Sequence, residues 1–179
     1  MTESEKKRRL RNIKLFATDC DGCLTDGKLY IGDNGEQFKV FSVKDGQGIR
    51  LLQSHNITPA IITTRTSTIL EKRAKELDIT ELHQKVRRKE TILAELAEKY
   101  NVDLKQIAYL GDDLNDLQAI QMAGLSFAPA DCARQIASEV DIVLKTPGGQ
   151  GALREAVEMI VDMIENGYEN IQDSDFGRN

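Results

Sequence analysis

Short apolar runs typical of β-strands alternate with segments of helical periodicity from residue 13 to residue 165. This alternation constrains the fold more than any other feature, because parallel strands are joined by helical crossovers that cover both faces of the sheet. The sequence therefore predicts the α/β class, a Rossmann-like parallel sheet with helices on both faces. The predicted strands are residues 13–18, 59–63, 107–111, 125–128 and 142–144, with a weaker candidate at 81–83; the clearest helices are 67–77, 89–100, 114–123 and 152–165.

A β-hairpin is predicted where the alternation is interrupted after the first strand. Residues 28–31 and 37–43 are β-prone, and the turn-rich residues 32–35 join them. The hairpin is expected to project from the sheet over about residues 26–44. One helix is expected between the hairpin and the second strand.

Length and composition limit the classes of protein to which this chain can belong. A chain of 179 residues, 40% of them hydrophobic, suits one compact domain, so we expect residues 1–179 to form a single domain with a flexible polar tail at about 166–179. The net charge of -5 gives no general reason to expect a nucleic-acid partner. No apolar run is long enough for a signal peptide or a membrane span, so the expectation is a soluble cytoplasmic protein without a membrane partner.

The three cysteines are expected to be reduced, because an odd count does not suit a secreted disulfide framework. Cys20 and Cys23 form a C-x-x-C motif. No second C-x-x-C or histidine pair completes a zinc tetrahedron. We interpret both residues as core filler.

Acidic residues follow two of the predicted strands directly. Asp19 and Asp21 come after the first strand, and Asp112, Asp113 and Asp116 come after a later one. The carboxyl ends of parallel strands form the ligand crevice of such a sheet, and like charges gathered there repel unless a cation lies among them. Carboxylates without histidine or thiolate partners favour a hard ion such as Mg²⁺.

Two further residues could contribute to the same site. Thr63 ends the second strand, where its hydroxyl and nearby backbone N–H groups could bind a phosphate. Lys89 begins a predicted helix, and its ammonium could neutralise both a phosphoryl group and a carboxylate. By itself, Lys89 would be read as a surface lysine.

Taken together, these motifs resemble the haloacid dehalogenase superfamily of phosphotransferases. The motifs are D-x-D-G-x-x-T at 19–25, Thr63, Lys89 and G-D-x-x-x-D at 111–116. The resemblance spans nearly the whole chain and implies a haloacid dehalogenase-like fold. A match of this kind is a hypothesis to be tested by the structural context of each motif.

The resemblance implies a role for each matching residue. Asp19 would be the nucleophile that forms an aspartyl phosphate, and Asp21 would be the general acid and then the base. Gly22 would let the backbone turn tightly beside the substrate. Thr63 and Lys89 would hold the phosphoryl oxygens.

The resemblance also implies a magnesium ligand set. Mg²⁺ would be held by the carboxylates of Asp19 and Asp112 and by the main-chain carbonyl of Asp21. Asp113 and Asp116 would support these ligands without binding the ion.

The chain has no room for a cap domain, since the interval from residue 63 to 89 holds only one helix and a short strand. The hairpin and the loop at 148–155 resemble the capless 3-deoxy-D-manno-octulosonate 8-phosphate phosphatase family. This resemblance implies a phosphorylated sugar acid as substrate and a homotetramer whose neighbouring subunits complete each site. Arg65 and Arg73 would bind the substrate, with Arg73 reaching the carboxylate in an adjacent subunit. By itself, Arg73 would be read as a solvated helix residue.

Three positions depart from that family. Thr64 stands where glycine is usual, Ser42 where asparagine is common and Gln150 where arginine is common. A sister family acts on nine-carbon sialic-type sugar acid 9-phosphates and is expected to carry Glu at the position of Arg65, so Arg65 favours the eight-carbon substrate. A monomeric phosphatase of macromolecules stays open as an alternative, as does a silent binding module, although a silent module would be expected to lose Asp19 or Asp21.

Overall fold

The fold is seen in a computed structural model that describes residues 2–166, so the predicted tail lies outside the described residues from 167 onward. The strands in this range are β1 (Leu15–Thr18), β2 (Tyr30–Gly32), β3 (Gly35–Phe38), β4 (Thr58–Ile62), β5 (Glu81–His83), β6 (Ile107–Leu110), β7 (Leu125–Ala128) and β8 (Ile142–Val143). The α-helices are α1 (Glu3–Arg11), α2 (Val43–Ser54), α3 (Thr68–Glu76), α4 (Lys89–Tyr100), α5 (Leu117–Met122), α6 (Arg134–Ala137) and α7 (Ala152–Glu165).

Six strands form one parallel sheet in the order β5-β4-β1-β6-β7-β8. In the centre, Phe16 of β1 is in register with Pro59 of β4 and Ala108 of β6. The carboxyl ends of β1, β4 and β6 therefore lie side by side at one edge, which is where ligands bind in open α/β sheets. The predicted α/β class is confirmed, and every predicted strand of the sheet is present.

Apolar side chains are buried on both faces of the sheet, as a parallel sheet requires. Phe16 points into a cluster formed with α1, α2, α3 and α7, whereas Leu15 and Ala17 point into a second cluster formed with α4, α5 and α6. Burying one such large side chain contributes roughly 1.5–3 kcal/mol. The two clusters hold the strand ends in fixed relative positions.

The predicted hairpin is present as a separate antiparallel pair of β2 and β3, but its second strand is shorter than expected. Residues 39–43 are not a strand, because Ser42 caps α2 by accepting a hydrogen bond at Oγ from the Lys44 N–H at 3.1 Å. Asparagine is an equally good N-cap, so serine at this position preserves the same helix start. Large exposed apolar side chains are concentrated on the hairpin and the start of α2: Leu29, Ile31, Phe38, Val40 and Val43.

The helices differ from the prediction mainly at their ends. The predicted helix at 114–123 is a 3₁₀ turn, Leu114–Asp116, followed by α5, because Asp113 caps the turn. The sequence did not predict α6, which is only one turn long. Among the described helices, none combines the length and apolarity needed to span a membrane.

Asp45 joins α2 to the start of α7. Its side chain is 3% exposed, and Oδ1 accepts a hydrogen bond from the Arg154 N–H at 3.0 Å. Within residues 2–166, Oδ2 has no hydrogen-bond partner. Burial raises the pKa of Asp45 from 3.8 to about 6, although the backbone N–H groups of α7 act in the opposite direction.

We expect Asp45→Asn to flatten the pH dependence of stability. Because the pKa is higher in the folded than in the unfolded chain, the stability contributed by protonated Asp45 is present below about pH 4 and is lost as pH rises through about 6. The wild type should therefore lose up to about 3 kcal/mol relative to Asp45→Asn between pH 4 and 7. Urea unfolding across this range tests the expectation, and parallel pH curves for the two proteins would contradict it.

Candidate active site

A cavity of about 250 Å³ lies at the edge of the sheet where β1, β4 and β6 end. It is lined by Asp19, Asp21, Gly27, Thr63, Thr64, Arg65, Asp112, Asp113 and Asn115. The fold thus brings together side chains that lie almost a hundred residues apart in the sequence. Most of the predicted site residues meet here.

Asp19 is held rigidly at the bottom of this site. It is 4% exposed, its Oδ1 accepts a hydrogen bond from the Cys20 N–H at 2.7 Å, and its Oδ2 lies 3.0 Å from Lys89 Nζ. Burial raises the pKa of Asp19 to about 6; the charge of Asp116 acts in the same direction, and Lys89 opposes it. Asp19 also lines the cavity, as a nucleophile would have to do.

Lys89 and Asp116 form a fully buried ion pair behind Asp19. Lys89 Nζ donates to Asp116 Oδ1 at 2.6 Å, and the Tyr109 hydroxyl donates to the same oxygen at 2.7 Å. The other oxygen, Oδ2, faces the N–H groups of Asp112 and Asp113 at 3.2 and 3.4 Å. Burial alone would lower the pKa of Lys89, but the charges of Asp116 and Asp19 raise it, so the ammonium stays protonated.

The acidic cluster fits a hard divalent cation. Carboxylate oxygens of Asp19, Asp112 and Asp116 all lie within 4.8 Å of one another. Burial, with the charges of Asp116 and Asp19, raises the pKa of Asp112 to about 7, which shows that uncompensated negative charge accumulates here. Asp116 accepts four protein donors, whereas Asp19 meets only the Cys20 N–H and the Lys89 ammonium, so Asp19 and Asp112 have more oxygen lone pairs left for an ion.

Gly22 is required by the position of Asp112. Its φ is +92°, in the left-handed region that favours glycine, and a Cβ at this residue would lie 2.0 Å from Asp112 Oδ2. Any side chain here would therefore push Asp112 out of the acidic cluster. The glycine thus makes room for the Asp112 carboxylate as well as forming the predicted turn.

Thr63 and Arg65 reach the cavity from the end of β4. Thr63 is 2% exposed. Its own N–H donates to the His83 carbonyl, so, contrary to the expectation from the sequence, this N–H group is not available to a phosphate. Its Oγ1 lies 3.4 Å from the Arg65 N–H. Thr64, at the position where glycine is usual, is exposed and lines the cavity.

Asp21 is paired with side chains of the hairpin and of the loop after β4. Lys39 Nζ donates to Asp21 Oδ1, and Arg65 Nε lies 3.5 Å from Asp21 Oδ2. The sequence did not single out Lys39. No local signal distinguishes it, because its position depends on how the hairpin packs against the sheet edge.

Arg73 is not among the residues that line this cavity. Its Nη1 lies 3.0 Å from Glu76 Oε2, its Nη2 donates to the Ser42 carbonyl at 3.4 Å, and its guanidinium lies 6.0 Å from the Phe41 ring centre. The side chain is 19% exposed. It therefore lies at the base of the hairpin.

The C-x-x-C motif has the properties of core residues. Cys20 and Cys23 are 1% and 0% exposed. Burial, with the nearby carboxylates, raises the pKa of both thiols above the ordinary value, so neither forms a reactive thiolate.

Comparisons with known proteins agree with this geometry. A family model described as haloacid dehalogenase-like hydrolase matches residues 75–154. The 3-deoxy-D-manno-octulosonate 8-phosphate phosphatase of Haemophilus influenzae is 43% identical over 155 residues, which cover 87% of this chain and 86% of that protein. The phosphatase of the same name from Escherichia coli K12 is 39% identical over 153 residues, covering 86% of this chain and 81% of that protein.

Solved structures give the same result. The 3-deoxy-D-manno-octulosonate 8-phosphate phosphatase of Moraxella catarrhalis, in complex with magnesium, phosphate and the sugar acid KDO, has a TM-score of 0.88 and 38% identity, and the match covers 92% of this chain and 95% of that one. The cobalt-bound enzyme of Haemophilus influenzae has a TM-score of 0.85 and 42% identity, with 87% and 91% covered.

Proposed function

This chain belongs to the 3-deoxy-D-manno-octulosonate 8-phosphate phosphatase family of haloacid dehalogenase-like hydrolases, and we propose that it hydrolyses this sugar-acid phosphate to the free sugar acid and phosphate. It is a Mg²⁺-dependent phosphomonoesterase. The observation that carries the proposal is the placement of Asp19 against Lys89, with Asp112 in the same acidic cluster, at the carboxyl edge of the sheet.

The reaction has two halves, both centred on Asp19. In the first, a carboxylate oxygen of Asp19 attacks phosphorus in line, the bond between phosphorus and the sugar oxygen breaks, and Asp21 gives that oxygen its proton. In the second, Asp21 takes a proton from water, the water oxygen attacks phosphorus, and the bond between phosphorus and the Asp19 oxygen breaks. Asp19 is then released with inorganic phosphate, and Asp21 is protonated again.

Cationic and polar side chains meet the charge that develops on the phosphoryl oxygens. Lys89 lies beside Asp19, and Thr63 and Arg65 are in the cavity wall. Such fixed donors favour the transition state because they are already in place before the reaction. Mg²⁺ bound by Asp19, Asp112 and the Asp21 carbonyl would supply further positive charge to the phosphoryl group.

A panel of phosphate esters tests the proposed substrate. Purified protein with Mg²⁺ should release phosphate fastest from 3-deoxy-D-manno-octulosonate 8-phosphate. The panel should include a nine-carbon sialic-type 9-phosphate, a phosphopeptide and a 3'-phosphorylated oligonucleotide. Faster release from any of these three would overturn the substrate assignment.

We also propose that the protein works as a homotetramer assembled through its hairpins. The large exposed apolar residues between Leu29 and Val43 support this, because exposed apolar patches mark protein interfaces. We further propose that the chain is one domain and that it works in the cytoplasm, where its free thiols stay reduced.

In this assembly Arg73 is proposed to bind the substrate carboxylate in the site of an adjacent subunit. Its position at the base of the hairpin, outside its own cavity, supports a role across the interface. We expect Arg73→Ala to raise KM for the sugar-acid phosphate by about tenfold, because a hydrogen bond to a charged group contributes about 1.5–3 kcal/mol. The KM for a small phosphate ester without a carboxylate should not change.

Subunit mixing tests whether the arginine is shared. Mixed tetramers of Arg73→Ala and Asp19→Asn subunits should recover activity, because a site with its own Asp19 can use Arg73 from the other subunit. Arg50→Ala is a matched control, since Arg50 pairs with Asp78 in an exposed position. A monomeric protein, or verified mixed tetramers without recovery, would contradict the shared site.

A further inference from the structure

The hairpin of this subunit contributes charged side chains to its own active site. Lys39, just after β3, donates from Nζ to Asp21 Oδ1 and lies 3.2 Å from Glu36 Oε1. Its side chain is only 2% exposed. Lysine ammonium groups are almost never buried unless they are paired, so this placement depends on the two carboxylates.

Glu36 makes the second set of contacts between the hairpin and the site. Its Oε2 accepts a hydrogen bond from the Ser67 hydroxyl at 2.5 Å, and its Oε1 lies 3.5 Å from Arg65 Nη2. Arg65 also lies 3.5 Å from Asp21 through its Nε. Asp21, Lys39, Glu36 and Arg65 therefore form a closed ring in which acidic and basic side chains alternate, here called the acid ring.

Both hairpin members of the acid ring are charged. The Lys39 ammonium lies between two carboxyl groups, those of Asp21 and Glu36, as a buried ammonium requires. Burial alone would raise the pKa of Glu36, but hydrogen bonds from Ser67 and Lys39 lower it. The hydrogen bond from Lys39 to Oδ1 restricts rotation of the Asp21 carboxyl group, and Oδ2, 3.5 Å from Arg65 Nε, is the oxygen that can carry the proton.

We propose that Lys39 is the positioning residue for the catalytic acid: it holds the Asp21 carboxyl where it can protonate the leaving oxygen, while Glu36 holds Lys39 and Arg65. This inference rests on the proposed function, in which Asp21 is the acid. Lys39 acts through Asp21, and it is not among the residues that line the cavity.

The test compares two leaving groups in Lys39→Met. The kcat/KM value reports the steps up to phosphoryl transfer to Asp19, in which Asp21 acts only as acid. With 3-deoxy-D-manno-octulosonate 8-phosphate the leaving alkoxide needs a proton, so kcat/KM should fall by about 30-fold or more, a part of the roughly 10²–10⁴-fold that a general acid contributes. With 4-nitrophenyl phosphate, whose leaving group needs no proton, the fall should be below about threefold.

Three further variants separate positioning from a structural role. Lys39→Arg keeps the charge and should recover most of the loss. Adding Lys39→Met to Asp21→Asn should bring little further loss, because residues that act as a unit are not additive. Lys28→Met is the matched control, since Lys28 lies on the other arm of the same hairpin, is 72% exposed and pairs with Asp26. Both substrates should stay within about twofold of wild type.

Each outcome decides the proposal. Equal losses with both substrates, or no loss with either, would show that Lys39 does not act through the acid. If Asp21→Asn is selective for the sugar substrate and Lys39→Met is not, only the positioning role fails. If Asp21→Asn itself is not selective, the acid role fails and the positioning role with it. Should Lys39→Met not fold, Glu36→Gln provides the same comparison with a smaller expected selective loss.

Discussion

Asp19→Asn is expected to lower kcat by about 10⁴-fold or more, the scale seen when a catalytic nucleophile is removed. An amide is a poor nucleophile toward phosphorus, so the covalent intermediate cannot form. The change also removes a negative charge from the acidic cluster and so weakens magnesium binding. Asparagine has nearly the same shape as aspartate and can still accept the hydrogen bond from Cys20, so the fold should be retained.

Phosphate release with saturating Mg²⁺ measures this effect. Asp103→Asn is a matched control. Asp103 is the exposed N-cap of the 3₁₀ turn Leu104–Gln106, which precedes β6 at the end opposite the site, and asparagine is an equally good N-cap. It should keep wild-type activity. Near-wild-type turnover of an activated aryl phosphate by Asp19→Asn would show that the reaction does not pass through an aspartyl phosphate.

Lys89→Met is expected to damage both activity and stability. The buried ammonium lies within 3.0 Å of carboxylate oxygens of Asp19 and Asp116, and methionine leaves both groups without their cation. Breaking a buried ion pair from one side costs about 3–5 kcal/mol of unfolding free energy. Loss of a fixed donor beside the phosphoryl group should lower kcat by about 10²–10³-fold.

Urea unfolding and phosphate release measure the two effects. Lys99→Met is the control, because Lys99 belongs to the same helix but its side chain is 60% exposed where it meets Glu81. Its partner Glu81 is buried but keeps the hydrogen bond from the Tyr100 hydroxyl, so this variant should lose much less unfolding free energy than Lys89→Met and keep wild-type activity. A Lys89→Met protein as stable as Lys99→Met would contradict the proposed buried charge network.

The hairpin of the same chain contacts this capless site. From the sequence, a site without a cap domain was expected to borrow its covering from a neighbouring subunit. Glu36 and Lys39 of the same chain already contact the site in the structure. The proposed tetramer would therefore complete a site whose Asp21 and Arg65 are already paired with side chains of the chain's own hairpin.

The sequence by itself determined the fold class and the main chemical groups of the site. Alternating strand and helix patterns are local, since they follow from side-chain direction every two or 3.6 residues. The acidic residues at the ends of two strands were also recognisable, because the carboxyl ends of parallel strands meet at one edge. The sequence thus assigns Asp19 and Asp112 to one acidic cluster, although it does not give the distance between the two carboxylates.

Only the tertiary structure decided how these groups divide their roles. Asp116 is saturated by Lys89, Tyr109 and two backbone N–H groups, so it supports the site, although its residue type matches that of Asp112. Lys39 reaches Asp21 because the hairpin packs against the sheet edge. These contacts join residues far apart in the sequence, so the local periodicity of apolar residues does not predict them. They exist because a buried charge is stable only where the packed chain places an opposite charge beside it.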